Sequence, residues 1–275
     1  MKRHVFSNIH DFWRGIDRMS VTTHCGYIGR YPENSLMGLK AAVELGTDWV
    51  EFDVRATSDL ELVLLHDPTL ERVSDGTGKI CRHAYADLAR LNFSHYEYFP
   101  DCSGEHLDLP RYEQFPITRL EDVLETLRGE VFMNIQVYAD GPAAQRRLCE
   151  VFRSYDLYSQ AYLTLSDYEQ ASFVRTVDPE IELCVLDRPT NMAALHRLKR
   201  FGCHVAQPRR DTVTPEYCEM SRELGIFSNL YYANYTREIR MYAAMGLQGI
   251  LTDYPENALA CLEEVGLSIH KTGGA

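Results

Sequence analysis

The chain has 275 residues, of which 40 are acidic and 28 are basic, giving a formal net charge of −12. This acidic balance, without a run of lysine and arginine, argues against a nucleic-acid partner, which normally requires a basic surface. No segment approaches the roughly 18–20 apolar residues of a membrane-spanning helix, and the chain does not begin like a signal peptide. We therefore predict a soluble cytoplasmic protein whose eight cysteines are reduced thiols, with no oligomeric state favoured.

Short apolar runs rich in β-branched residues recur along the chain, and most are followed by a helical pattern. Nine strands are predicted, at 21–26, 49–54, 62–67, 131–137, 161–166, 181–187, 203–208, 226–232 and 249–253. Eight helices are predicted, at 35–45, 118–128, 141–155, 167–177, 190–201, 214–224, 236–246 and 256–265. Because strands and helices alternate, we predict a parallel sheet and, at this length, one (β/α)8 TIM-barrel domain over residues 1–275.

The ninth strand is one more than an eight-stranded barrel needs. Only seven residues separate Val54 from Leu62, whereas a parallel crossover needs about a dozen or more. The strand near 62–67 is therefore predicted to form an antiparallel hairpin with the strand before it. A turn centred on residues 59 and 60 would pair position 53 with position 66, which would place Asp53 and His66 on one face.

The segment 68–117 is long and irregular, and it is rich in aromatic residues. Tyr96, Tyr98 and Phe99 lie near its middle. Loops of this length in compact domains are usually functional or disordered, and the aromatic content argues against disorder. We predict an insertion that caps the barrel mouth, the alternative being surface packing without a role in binding.

His24 ends the first predicted strand, on the face of a barrel where active sites lie. A lone histidine in a strand is more often a core residue, but here a glycine-rich turn follows at once. Asn34 is predicted to be the N-cap of the helix at 35–45. That helix would direct its N-terminus, which favours anions, toward His24.

Glu51 and Asp53 face the same side of the second strand, with apolar residues between them. Two inward carboxylates are unfavourable unless something compensates their charge, and a hard cation such as Mg²⁺ or Ca²⁺ would do so. The alternative is an ion pair with a basic residue such as Arg55. His66 ends the next strand and could form an acid–base pair with His24 across a phosphodiester bond.

Several motifs occur in the order and spacing of the glycerophosphodiester phosphodiesterase family, which the chain resembles from about residue 21 to 262. They are 24–26 (HCG), 32–35 (PENS), 46–54 (GTDWVEFDV), 57–59 (TSD), 66–67 (HD), Arg72, 76–78 (GTG) and 249–255 (GILTDYP). The resemblance implies a (β/α)8 barrel, a divalent cation, and hydrolysis of a small-molecule phosphodiester to an alcohol and a phosphomonoester. It further implies that His24 and His66 are catalytic and that Glu51 and Asp53 bind the metal.

Three positions depart from the family pattern. Cys25 stands where the family usually has arginine, Gln136 where it has a glutamate that binds the metal, and Tyr138 where it has lysine. Gln136 would still offer a neutral oxygen to the metal, which predicts weak metal affinity. Cys25 and Tyr138 would meet the substrate without cations, and Arg30 is a candidate replacement for the lost phosphate contact.

These departures leave several interpretations open. The first is a family phosphodiesterase, or a relative that acts on a bulky alcohol such as a sugar, for which plain glycerophosphodiesters are poor substrates. The second is a catalytically impaired barrel that binds a phosphorylated ligand or a partner. The third is an unrelated barrel enzyme such as an isomerase or lyase, although the segment at 207–210 lacks the glycine-rich loop of a barrel phosphate site.

Overall fold

The computed structural model describes residues 8–94 and 112–265. Its nine strands are β1 Ser20–Thr23, β2 Trp49–Ala56, β3 Leu62–Leu64, β4 Phe132–Val137, β5 Ala161–Leu165, β6 Leu183–Val185, β7 Val205–Ala206, β8 Phe227–Leu230 and β9 Gly249–Thr252. Eight of them form a parallel sheet in the order β6-β5-β4-β2-β1-β9-β8-β7. Since β6 also packs beside β7, the sheet is a nearly closed barrel, which confirms the predicted (β/α)8 fold.

Helices follow the barrel strands and cover the outside of the sheet. They are α1 Ile9–Gly15, α2 Leu36–Leu45, α3 Tyr85–Leu88, α4 Leu120–Leu127, α5 Gly141–Ser154, α6 Tyr168–Val177, α7 Met192–Phe201, α8 Pro215–Glu223, α9 Thr236–Ala244 and α10 Pro255–Val265. Short 3-10 turns lie at Ile80–Arg82 and Leu157–Ser159. Within the described ranges, none of these helices has the length and apolar character needed to cross a bilayer.

The hairpin between β2 and β3 is antiparallel, as predicted, but its register differs by one residue. Val54 pairs with Leu64 and Ala56 with Leu62, so Asp53 lies opposite Leu65 rather than His66. The main-chain N–H of Leu65 accordingly donates to the carbonyl of Asp53 at 3.0 Å. The prediction that strand pairing sets Asp53 beside His66 was therefore wrong, since His66 lies beyond the end of β3.

The turn explains the shift in register. Leu60 adopts a left-handed conformation with φ 64°, and the N–H of Thr57 donates to the carbonyl of Glu61. Residues 58–60 thus form a three-residue loop whose last residue is left-handed, a common hairpin connection. The prediction centred the turn between residues 59 and 60, whereas the observed loop is centred on residue 59.

Helix α1 closes the N-terminal end of the barrel and was not predicted. Asn8 caps it by accepting from the N–H of Asp11, and Ile9, Phe12 and Trp13 form its buried face. Trp13 stacks on Trp49 of β2 and on Phe227 of β8 with ring centroids 5.9 and 5.6 Å apart. Residues 9, 12 and 13 have the spacing of one face of a helix. The seven residues of α1 therefore carry a sequence pattern that predicts this helix.

The described part of the aromatic insertion packs against the hairpin. Phe93 and Ile117 belong to a buried cluster with Val63 and Leu65, and Phe115 packs on its edge. The cluster holds this segment beside the hairpin that ends at His66. Tyr96, Tyr98 and Phe99, on which the predicted cap also depends, lie outside the described residues.

Candidate active site

His24 follows β1 and is held inside the barrel by the residue that follows β9. Its Nδ1 lies 2.8 Å from Oδ1 of Asp253, and both side chains are buried. The other oxygen of Asp253 accepts a hydrogen bond from Asn234 at 2.6 Å, and Asn234 in turn accepts from the N–H of Asp253. Tyr231 and Tyr232 pack against the imidazole. The orientation of His24 is thus fixed by a buried carboxylate with a neutral partner.

His66 follows β3 and is held by a charged network. Its Nδ1 lies 2.8 Å from Oδ1 of Asp67, and Arg72 bridges Asp67 at 2.7 Å to Glu33 at 2.6 and 2.8 Å. Burial opposes ionisation of Asp67, but the hydrogen bonds from His66 and Arg72 outweigh it and hold its pKa well below the usual value. Burial likewise opposes the charge on His66, whose pKa is nevertheless raised by Asp67 and by Asp53.

Arg55 forms a brace under His66 rather than an ion pair with the inward carboxylates. Its guanidinium donates twice to the carbonyl of His66, at 2.9 and 2.6 Å, and once to the carbonyl of Tyr138 at 3.2 Å. Across the described residues it forms no salt bridge with Glu51 or Asp53. The alternative explanation of these carboxylates, pairing with Arg55, therefore does not describe the structure.

Glu51 and Asp53 are both buried, with 1% of each exposed. Glu51 accepts from the main-chain N–H of Cys25 at 2.7 Å. Burial, and then the charge of Asp53, raise the pKa of Glu51 to about 8. Asp53 accepts from the amide of Asn34 at 2.8 Å and from the thiol of Cys25 at 3.2 Å. The two carboxylates are therefore adjacent, and the described donors on them are neutral.

Asn34 has a different role from the one predicted. The N-cap of α2 is Ser35, whose hydroxyl accepts from the N–H of Gly38. Asn34 instead adopts φ 54° and directs its side chain at Asp53, donating to its carboxylate and accepting from its N–H at 2.9 Å. The segment after His24 therefore contacts the carboxylates through the side chain of Asn34, and not through the N-terminus of α2.

Cys25 lies in the middle of the candidate site. It is fully buried, and its ligating atom lies within 4.8 Å of those of His24 and Glu51. Burial, and then Asp53, raise the pKa of the thiol well above its usual value. The side chain therefore acts here as a neutral donor, whereas the arginine that the family pattern leads one to expect would carry a charge.

Gln136 and Tyr138 connect the carboxylates to His66. The amide nitrogen of Gln136 lies 2.6 Å from the hydroxyl of Tyr138 and 3.4 Å from Oδ1 of Asp53. That hydroxyl is 3.4 Å from Nε2 of His66. In this orientation Gln136 presents its NH₂ group to Asp53, and a rotation of the amide by about 180° would present the oxygen instead.

Arg30 lies apart from this network. Its side chain is 64% exposed and pairs with Glu256 at 3.2 Å, while its guanidinium lies 5.9 Å from the ring centre of Tyr27. Neither contact reaches the histidines or the inward carboxylates. The predicted replacement of a phosphate cation by Arg30 receives no support from them.

Two positioning residues were not singled out from the sequence. Asp253 lies in the closing-strand motif at 249–255, which marked it only by resemblance. Asn234 carried no separate signal, because β8 approaches β9 only in the closed barrel. Arg55 was considered only as an ion-pair partner of the carboxylates, not as a support of His66. The register of β1 beside β9, with Thr23 opposite Thr252, places His24 next to Asp253.

A sequence model of the glycerophosphoryl diester phosphodiesterase family matches residues 24–257. The chain belongs to this family. It is therefore classed as an enzyme, a phosphoric diester hydrolase. A glycerophosphodiester phosphodiesterase of Caldanaerobacter subterraneus subsp. tengcongensis is 24% identical over 251 residues, which cover 90% of this chain and 98% of that protein.

Solved structures show the same barrel. A putative glycerophosphoryl diester phosphodiesterase from Silicibacter pomeroyi has a TM-score of 0.81 at 22% identity, covering 92% of this chain and 95% of that one. A phosphodiesterase from Oleispira antarctica, solved with the product sn-glycerol-3-phosphate, has a TM-score of 0.73 at 22% identity, covering 90% and 97%. These likenesses extend over nearly the whole fold.

Proposed function

We propose that the chain hydrolyses a glycerophosphodiester-like small molecule to an alcohol and a phosphomonoester, with His24 and His66 as its acid–base pair. The observation that carries the proposal is the matched support of the two rings. In each, Nδ1 is bonded to a carboxylate at 2.8 Å, which fixes Nε2 as the nitrogen that exchanges a proton with substrate. Two such histidines, one after each of two strands that pair with β2, can serve as the acid and the base in cleavage of a P–O bond.

The different environments of the two histidines assign one as the acid and the other as the base. Because its pKa is raised, His66 is the better candidate to begin protonated and to donate a proton to the leaving oxygen. His24 would accept a proton from the attacking water, whose oxygen forms the new P–O bond as the alcohol leaves. Tyr138, whose hydroxyl is 3.4 Å from Nε2 of His66, would help to orient that proton.

Glu51, Asp53 and Gln136 are the proposed ligands of a divalent cation, Mg²⁺ or Ca²⁺. The donor set fits a hard cation, because two carboxylates are buried on the same strand and accept hydrogen bonds from the neutral donors Cys25 and Asn34. A cation bound there would neutralise charge developing on the phosphoryl oxygens. Gln136 would have to turn its amide oxygen inward, and its lack of charge would weaken the binding.

The substrate is proposed to be larger than glycerophosphocholine, such as a sugar phosphodiester. Cys25 and Tyr138 offer neutral groups where the family pattern has cations, and charge-assisted hydrogen bonds contribute about 1.5–3 kcal/mol each. Losing two would reduce kcat/KM on plain glycerophosphodiesters by roughly 10²–10⁴. The rings of Tyr138, Tyr231 and Tyr232 beside the two histidines supply flat surfaces that suit a sugar.

The test is a parallel assay of glycerophosphocholine and a panel of sugar phosphodiesters with added Mg²⁺ or Ca²⁺. We expect faster turnover of a sugar substrate, abolished by His24→Ala. Fast turnover of glycerophosphocholine that is abolished by the same substitution would refute the altered substrate and leave ordinary family activity.

Since seven described cysteines are free thiols, one of them exposed, we place the reaction in a reducing compartment such as the cytoplasm.

A second candidate function is binding of a phosphorylated ligand without turnover. It is favoured by one observation, that Asp53 already receives hydrogen bonds from Asn34, Cys25 and Gln136. A carboxylate satisfied in this way has less need of a cation. Calorimetry that detects neither Mg²⁺ nor Ca²⁺, together with binding of sn-glycerol-3-phosphate and no hydrolysis of the panel, would support this alternative.

A further inference from the structure

A second group of potential metal ligands lies at the opposite end of the barrel from His24 and His66. His10 is on α1, Glu182 directly precedes β6 and His204 directly precedes β7. One ligating atom from each lies within 4.8 Å of the others. The group therefore joins the helix that closes the barrel floor to the first residues of two neighbouring strands.

Glu182 is the fixed centre of this group. Its side chain is 6% exposed, and Oε1 accepts from the main-chain N–H of His204 at 2.9 Å. Oε2 lies 2.9 Å from Nδ1 of His204 and 3.7 Å from Nε2 of His10. The main-chain hydrogen bond holds one carboxylate oxygen and leaves the other directed between the two imidazoles.

The charge of Glu182 has no permanently cationic partner among residues 8–94 and 112–265. The ion pairs described for it are with His10 and His204, which are positive only when protonated. Neutral imidazole is the form that binds a metal, and a buried carboxylate needs a compensating cation.

The position of the imidazoles also allows an ion to enter. The two histidine side chains are 39% and 43% exposed, and their rings meet edge to face with centroids 5.4 Å apart. Tetrahedral zinc places its ligand atoms roughly 3.3 Å apart, given bonds of about 2.0–2.1 Å. A contraction of up to about 1.5 Å from the present spacing is within reach of side chains with this much freedom, and water can complete the coordination.

We propose that His10, Glu182 and His204 bind a transition-metal ion, with Zn²⁺ as the best match, and that this ion fastens α1 to the floor of the barrel. Two imidazoles with one carboxylate suit Zn²⁺, Co²⁺ or Ni²⁺, whereas Mg²⁺ and Ca²⁺ prefer all-oxygen sites. On binding, the ion takes the place of the direct contact between Nδ1 of His204 and Oε2 of Glu182. This site is independent of the hydrolysis proposed above.

The test uses the full chain, freed of metal with a chelator and titrated with Zn²⁺ in a calorimeter, with the melting temperature followed in parallel. His10→Ala and His204→Ala should each remove one equivalent of Zn²⁺, or weaken it by more than about 100-fold, since loss of an outer-shell partner alone costs 10–100-fold. Zinc should also raise the melting temperature of each variant by less than it raises that of the wild-type chain. His196→Ala, which alters an exposed histidine of α7, is the matched control.

The stoichiometry separates this site from the catalytic one. Zinc held by Glu51 and Asp53 would be unaffected by His10→Ala and displaced by excess Mg²⁺. If either alanine variant fails to fold by circular dichroism, His204→Gln keeps a hydrogen-bonding side chain and is expected to lose the same equivalent. Zinc binding unchanged in number and affinity in the folded variants overturns the proposal, as does a wild-type chain that binds no zinc beyond what Mg²⁺ displaces.

Discussion

The supports of His24 and His66 differ in their chemistry although both end at a carboxylate. His24 lies inside the barrel and depends on Asp253, which is buried and has a neutral partner in Asn234. His66 lies at the rim and depends on Asp67, which is 24% exposed and ion-paired with Arg72. Asp253, which supports His24, directly follows strand β9. Asp67 and Arg72, which support His66, lie in the loop that follows β3.

The difference indicates how each ring tolerates change. His24 is anchored by Asp253, so the loss of Asp253 would loosen the ring and leave Asn234 with a buried group unsatisfied. His66 is additionally braced through its own carbonyl by Arg55 and lies against Tyr138. We therefore expect the His66 side to lose activity gradually under substitution and the His24 side to lose it abruptly.

Removal of either imidazole should have the largest effect. We expect His24→Ala and His66→Ala each to lower kcat by on the order of 10²–10⁴, the usual contribution of an acid–base group. The measurement is hydrolysis of the best substrate with saturating Mg²⁺, with His196→Ala as a control that should retain full activity. A folded variant of either histidine with unchanged kcat would exclude that residue as catalytic.

Substitution of Asp253 and of Asp67 tests whether the two histidines depend differently on their carboxylates. Asp253→Asn keeps the shape of the side chain but favours the wrong tautomer of His24, and we expect a loss of about 100-fold in kcat. Asp67→Asn should lose only about tenfold, because Arg55 still holds the backbone of His66. Equal losses, measured side by side at one pH, would show that the two supports do not differ in the way described.

Gln136→Glu examines the metal ligands on the His66 side. A third carboxylate beside Asp53 should tighten Mg²⁺ or Ca²⁺ by about tenfold, since ligand charge is a main control on affinity for hard cations. The same change should lower the melting temperature of the metal-free protein, because it adds a like charge near Asp53. Calorimetry on the two proteins decides the matter, and unchanged affinity would mean that Gln136 is not a ligand.

The sequence predicted the barrel well because its strands and helices have strong periodic patterns. β2 was predicted at 49–54 and found at Trp49–Ala56, and the antiparallel hairpin followed from the length of one connection. β7 was predicted at 203–208 and found only at Val205–Ala206. Apolar composition marks a buried segment, but the number of residues in the ladder depends on the neighbouring strands.

The candidate site was less predictable where it depends on contacts distant in sequence. His24, Glu51, Asp53 and His66 were singled out because they end or lie within predicted strands and match motifs of the family. Asn234 approaches Asp253 only when β8 and β9 pair, and no local sequence pattern predicts this contact. The positive φ of Leu60, which shifts the hairpin by one residue, likewise depends on tertiary structure that overrides a local preference.

The smallest expected effect concerns acid stability on the His66 side. The pKa of Asp67 is depressed in the folded state, so its ionised form stabilises the fold above its unfolded pKa of about 3.9, and this stabilisation is lost as the pH falls below that value. The pKa of His66 is raised, so its share is fully present below about 6.5 and is lost as the pH rises through the folded value.

The pair should therefore contribute most at about pH 5–6. We expect Asp67→Asn to lower the free energy of unfolding there by roughly 1 kcal/mol, less than a buried charge-assisted bond because solvent screens the site. The difference should shrink toward pH 3, where the carboxylate of the unfolded wild-type chain becomes protonated while that of the folded chain is still ionised, and shrink partly toward pH 8, where Arg72 still pairs. Urea unfolding across this range, with the exposed Asp211→Asn as control, measures it. A difference that is constant with pH would mean that Asp67 acts through packing, and the charged support of His66 would lose its basis.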